Sequence, residues 1–166
     1  MMTEATIKHE RVPSWWFIMT TMLIAVFLTV IPVPDSVQHY WPDWITLIVF
    51  YWVLVLPAHL GVMFGWINGL IEDIVTFSLL GEHALGKALV GTVAAIGYRK
   101  FQLFNFVEKT FLILVLQSIN IAISAWTNQL AFGIPVELVF WKSALTTALM
   151  WLPVAFLLNH LDPNRN

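Results

Sequence analysis

Two carboxylates, Glu72 and Asp73, stand side by side inside the apolar run GWINGLIEDIVTFSLL at 65–80. Paired carboxylates can serve as general acid and base, and an acid inside a membrane can pair with a base or face a cavity. Neighbouring residues on a helix point about 100° apart, so these two do not make a catalytic dyad by themselves. Each is expensive in lipid, at about 2.5–3.5 kcal/mol for a mid-span charge, and each therefore calls for a compensating role.

Other chemistries find little to work with. The glycines here lack the Lys-Ser/Thr ending of a phosphate-binding loop. The histidines at 9, 39, 59, 83 and 160 make no HxxxH or HxxH pair, and there are no cysteines, so neither metal nor cofactor is expected. No serine has a general base in a recognisable arrangement. A net charge of −2 gives no reason to expect nucleic acid.

Gly61, Gly65, Gly69 and Asp73 are spaced by four and fall on one helix face. Small residues at that spacing let a second backbone approach closely, so the stripe predicts a helix-packing or partner interface. Asp73, at the end of the stripe, is expected to face protein and to pair with Lys87 just beyond the next turn. Glu72, with Asn68 four residues before it, is expected to line the same interior or to meet water in a cavity.

The elements that position these residues follow from composition. The chain has 166 residues, 59% of them hydrophobic and 11% charged, with a mean hydropathy of +0.79. A soluble domain carries about a quarter charged residues. No soluble fold of this length has interior enough for so much apolar surface, so the reading is an all-α integral membrane protein in one domain. Six spans are expected, approximately 15–31, 44–60, 61–80, 84–98, 111–130 and 139–158. The breaks fall at IPVPDS, LPAHLG, LLGEHALG and FGIPVE, where proline and glycine interrupt helices. With both termini in the cytoplasm, Lys8, Arg11, Arg99, Lys100, Lys109 and Arg165 lie inside, which is six of the eight basic residues. Five spans would spoil that distribution. Trp15, Trp16, Trp41, Trp44 and Trp141 open spans, as interfacial tryptophans do. The first span is read as a retained helix, since VIPVPDS has no signal-cleavage pattern. Arg99, Lys100 and Lys109, interleaved with Phe101, Phe104 and Phe106, form a basic loop suited to anionic membrane lipids, at about 1 kcal/mol per basic residue.

The chain resembles the rod shape-determining MreD family of bacteria. The resemblance rests on PDWITLIVFYWVLVLP, GWINGLIEDI, Leu85–Gly86, FQLF at 101–104, FW at 140–141 and the Trp151/Pro153 pair, in order over nearly the whole chain. The family's Gly-xxx-Gly-xxx-Asp segment falls on Gly65, Gly69 and Asp73; family members have an apolar residue where this chain has Glu72. The resemblance implies a non-enzymatic inner-membrane scaffold of cell-wall elongation. It implies MreC as partner and, through it, MreB filaments, RodA and a penicillin-binding transpeptidase. It implies a fold similar to the six-helix substrate-binding subunits of vitamin importers. Two other readings stay open. One is a small-solute-binding membrane transport subunit with Glu72 and Asp73 in its pocket, and the other an intramembrane enzyme using those acids on lipid. A polar pocket between helices would favour transport; sealed packing with an apolar outer groove would favour the scaffold.

Overall fold

A computed structural model describes residues 14–57, 60–133 and 141–161; the side chain of Asp35 is outside that description. Among the described residues the chain is all helix, in seven segments. They are α1 (Trp15–Val30), α2 (Asp35–Gln38), α3 (Trp44–Val55), α4 (Val62–Val75), α5 (Glu82–Leu103), α6 (Phe106–Phe132) and α7 (Trp141–Leu161). The segments on Lys8, Arg11, Arg165 and most of FGIPVE, with Phe140 of FW and both termini, lie outside the described residues.

Local chemistry sets the boundaries. α1 ends at Ile31 because Pro32 and Pro34 cannot continue it. Asp43 caps α3, its carboxylate accepting from the Thr46 amide at 2.8 Å. Asn105 and Glu108 form a reciprocal capping box at the start of α6, with bonds of 2.9 and 2.8 Å. Gly133 ends α6 with a left-handed φ of 67°.

Several lengths differ from the sequence expectation. α3 stops at Val55, not Leu60, because Pro57 disfavours helical backbone at the residue before it. α4 starts after Gly61, whose φ of 143° is open to glycine and places it outside the helix. The same helix ends at Val75, and Phe77 turns the chain with a φ of 55°. At 1.5 Å per residue, α3 and α4 are about 18 and 21 Å long, short of the ~30 Å of a hydrocarbon core. α5 is longer than expected, with 22 residues. By length and composition α6 and α7 are apolar enough to cross a membrane; α1 and α3 are shorter apolar helices.

α3 is the central element. It touches α1, α4, α5 and α7. Its residues Ile45–Leu54 are all buried, as expected of a helix that is apolar all round. Phe50 packs edge-on against Trp151 of α7 with ring centroids 5.3 Å apart, and Trp52 against Phe17 of α1 at 5.6 Å. α6 and α7 by contrast turn Phe111, Leu130, Leu149 and Phe156 outward. Such a surface belongs in lipid, which solvates apolar side chains as a core does.

Candidate functional site

The glycine stripe is spent inside the chain. A Cβ on Gly65 would run into the Lys87 carbonyl, and one on Gly69 would lie 2.7 Å from the Ala84 backbone nitrogen. Gly91 of α5 answers from the other side, where a Cβ would meet the Gly61 carbonyl at 2.6 Å. Thus α4 and α5 pack backbone to backbone, which is what small residues at fourfold spacing permit. Gly61 contributes as the residue before α4, not as a member of its face.

That close packing aligns α4's two acids with α5, and the expected pairing of Asp73 with Lys87 is not what forms. Asp73 is taken by the start of α5. Its Oδ2 accepts from the Gly81 amide at 2.7 Å, and its Oδ1 from the His83 amide at 2.8 Å. The Ser78 hydroxyl and His83 Nδ1 lie 3.1 and 2.9 Å from Oδ1. The reason is proximity: the first amides of a helix lack partners and carry partial positive charge, and Asp73 stands beside them across the turn. Lys87 lies one turn further along α5 and instead meets Glu72, which it contacts closely, and Asp43, whose Oδ2 is 3.0 Å from Nζ.

Lys87 is fully buried. It belongs to a polar cluster drawn from five helices, α3 to α7. Asp43 Oδ2 also accepts from Thr46 Oγ1, Gln117 Nε2 and Asn120 Nδ2, at 2.8, 3.1 and 3.3 Å. The Asp43 amide donates to Thr147 Oγ1 of α7 at 2.8 Å. A buried charge needs partners of this kind, because its desolvation is otherwise uncompensated. Lys87 Nζ thus stands between two carboxylates, where a bound cation would otherwise sit.

Above this cluster is a cavity of about 830 Å³. It lies at the end of the bundle where α1, α4 and α6 finish and α3, α5 and α7 begin. Asp43, Glu72, Gln117 and Asn120 form its inner part. Glu82, His83, Ser124 and Asn128 line it further out, with Asn128 Nδ2 donating to Glu82 Oε1 at 2.8 Å.

Asp43, His83, Glu82, Gln117, Asn120 and Asn128 were not singled out from the sequence. Signals existed. Asp43 precedes an apolar run, as an N-cap does. Gln117, Asn120, Ser124 and Asn128 are spaced by three, four and four, a polar stripe on an otherwise apolar helix. At the other end of α5 the expected basic loop is not a loop: Arg99 and Lys100 stand in the last turns of α5 and Lys109 in the first turn of α6, with only Phe104 and Asn105 between the helices. Arg99 and Lys100 are exposed there, and Arg99 Nε donates to the Tyr98 hydroxyl at 3.0 Å. Phe101 turns inward against Phe50, with ring centroids 6.5 Å apart, and Phe106 stays exposed. Lys109 begins α6 half-buried.

Comparison with known proteins gives one consistent answer. A family model described as rod shape-determining protein MreD matches residues 10–161. A rod shape-determining protein MreD of Haemophilus influenzae is 28% identical over 157 residues, covering 87% of this chain and 89% of that protein. No solved structure matches.

Proposed function

The chain belongs to the MreD family, a family of rod shape-determining membrane proteins, and from that premise we propose that it is a non-enzymatic scaffold of the cell-wall elongation machinery. The family match over residues 10–161 carries the reading. In this proposal the chain sits in the inner membrane as one domain of six passes, with both termini cytoplasmic. It binds MreC, and through MreC it joins MreB filaments to RodA and a penicillin-binding transpeptidase. The outward faces of α1, α6 and α7 support it, since they offer lipid or a partner helix a broad, mostly apolar surface. The basic residues Arg99, Lys100 and Lys109, at the facing ends of α5 and α6, then lie on the cytoplasmic side against anionic lipid. The cavity lies at the opposite, outer end.

Affinity capture of the full chain from solubilised membranes, with partners identified by mass spectrometry, tests this reading. Recovery of MreC with the elongation synthases is the expected result. Recovery of an ATP-driven transport module without them would overturn it in favour of a small-solute-binding transport subunit, the reading that a cavity bordered by Glu72, Asp43 and Glu82 supports. Reporter fusions at Asn166 test the topology: activity confined to periplasmic reporters would remove the six-pass arrangement.

A further inference from the structure

The cavity is lined by three acidic side chains and, among the described residues, by no lysine or arginine. Three carboxylates face it, those of Asp43, Glu72 and Glu82, and one ammonium, that of Lys87, lies against its inner end. Among the described residues the imidazoles of His39 and His83 are the remaining titratable groups on its walls, and His83 Nε2 lies 3.8 Å from Glu72 Oε1. Asp43 and Glu72 share Lys87. Glu82 is met by the Asn128 amide, and among the described residues no lysine or arginine reaches it. Asn120, also buried, lines the cavity; its Nδ2 donates to Asp43, while its Oδ1 is turned against Gly86 of α5 and has no hydrogen-bond donor among the described residues.

Charge buried in a membrane protein is costly unless it is paired, and unpaired acceptors add to that cost. A structural ion network avoids the cost by closing on itself. This one opens onto a space of about 830 Å³, within the range of small-molecule sites and far larger than a bare ion fills. Its walls are mostly apolar, with Ile31, Val33, Trp41 and Ile121 among them, and offer beside these the hydroxyl of Ser124 and the amides of Gln38 and Asn128.

We propose that the cavity is a binding site for a primary amine carried on a small polar molecule, its ammonium received by Glu82 and the carboxylates beneath it. An ammonium brings three donors to these acceptors, and it supplies Glu82 with the cationic partner that no lysine or arginine among the described residues provides. The same chemistry is available from a free amine in the outer solution or from the headgroup of an ethanolamine lipid. The proposal rests on the cavity and not on the scaffold reading, so its failure would leave the partner-capture result untouched.

Thermal unfolding of the full chain in detergent micelles tests it, with putrescine and ethanolamine as probes and butane-1,4-diol and ethylene glycol as their uncharged counterparts. A ligand that binds the folded state raises the midpoint in proportion to the logarithm of its concentration. The amines are expected to raise it and the diols to leave it in place. Glu82→Gln retains an acceptor for Asn128 but removes a charge, and is expected to weaken amine binding at least tenfold. Glu82→Lys supplies an amine from the chain itself, and is expected to abolish the response while its ligand-free midpoint stays at or above that of the parent. Native mass spectrometry from bilayers with ethanolamine or glycerol headgroups separates the sources. Retention of the ethanolamine lipid alone, lost in Glu82→Lys, assigns the lipid; an effect of free amines alone assigns the solute. Equal shifts from amines and diols, unchanged amine affinity in Glu82→Gln, or no amine effect in either arm would overturn the proposal.

Discussion

The two ends of α3 sit in different surroundings. At its start, Asp43 gathers donors from Thr46, Lys87, Gln117 and Asn120, beneath a cavity. At its other end, Phe50 and Trp52 are wholly buried among the rings of Phe17, Phe101 and Trp151. The polar half is held by directional bonds, each with a specified partner. The aromatic half is held by shape. In lipid the two differ further: apolar side chains gain little from leaving hydrocarbon, so the aromatic half depends on contact alone, whereas an unpartnered charge in the polar half is heavily penalised. Substitutions in the polar half should therefore be the more damaging, and their effects should depend on which partner is left behind.

The largest effect is expected for Lys87→Met. It leaves Asp43 and Glu72 facing each other without their shared cation, at a cost of about 3–5 kcal/mol. Thermal unfolding in detergent should show a sharply lower midpoint, partly restored when Glu72→Gln is added. A parent-like midpoint for Lys87→Met alone would break the contrast between the halves.

Within the polar half the two adjacent acids should behave unequally. Asp73→Leu leaves the Gly81 and His83 amides without their acceptor and should cost about 2–3 kcal/mol, with faster proteolysis at the turn between α4 and α5. Glu72→Leu removes one of the two carboxylates around Lys87 and leaves the neutral Lys87–Asp43 pair, so a loss of about 1 kcal/mol or less is expected. Rod-shape complementation should follow the same order. Equal losses would mean that Glu72 does more than balance charge.

A smaller effect is expected where α4 meets α5 through glycine. Gly69→Ala forces a methyl against backbone atoms of Ala84, which cannot move aside as a side chain would, at about 1–3 kcal/mol. Gly133→Ala meets open space and bears only the left-handed backbone penalty, about 1 kcal/mol. Comparing their unfolding midpoints separates close packing from backbone conformation; identical losses would remove the packing account.

The smallest effect belongs to the aromatic half. Trp52→Phe keeps most of the ring but deletes the Nε1 donor that reaches Thr21 Oγ1 at 2.9 Å. Interhelical hydrogen bonds in membranes contribute about 0.6 kcal/mol on average, so a shift near that size is expected. A loss as large as that of Lys87→Met would show that the aromatic half, too, depends on a directional bond.

Composition alone determined that the chain is helical and made for lipid, because 59% hydrophobic residues exceed what a soluble fold of this length can bury. Proline and glycine positions placed most helix ends within a few residues, since their backbone limits act locally. The fourfold spacing of Gly65, Gly69 and Asp73 marked one face of a helix, because helical period is a property of the chain itself. What that face meets was beyond it. Asp43 and Lys87 are 44 residues apart, and Gln117 is 74 from Asp43, so their meeting depends on how α3, α5 and α6 cross. The exchange of partners, with Asp73 taken by the start of α5 and Lys87 by Glu72 and Asp43, was likewise settled only in three dimensions. Nearness in sequence made Asp73 and Lys87 look like a pair, but the free amides of α5 lie closer to Asp73 than any lysine one turn deeper. The cavity is the plainest case, for an empty volume is defined by walls from several helices and by no segment of its own.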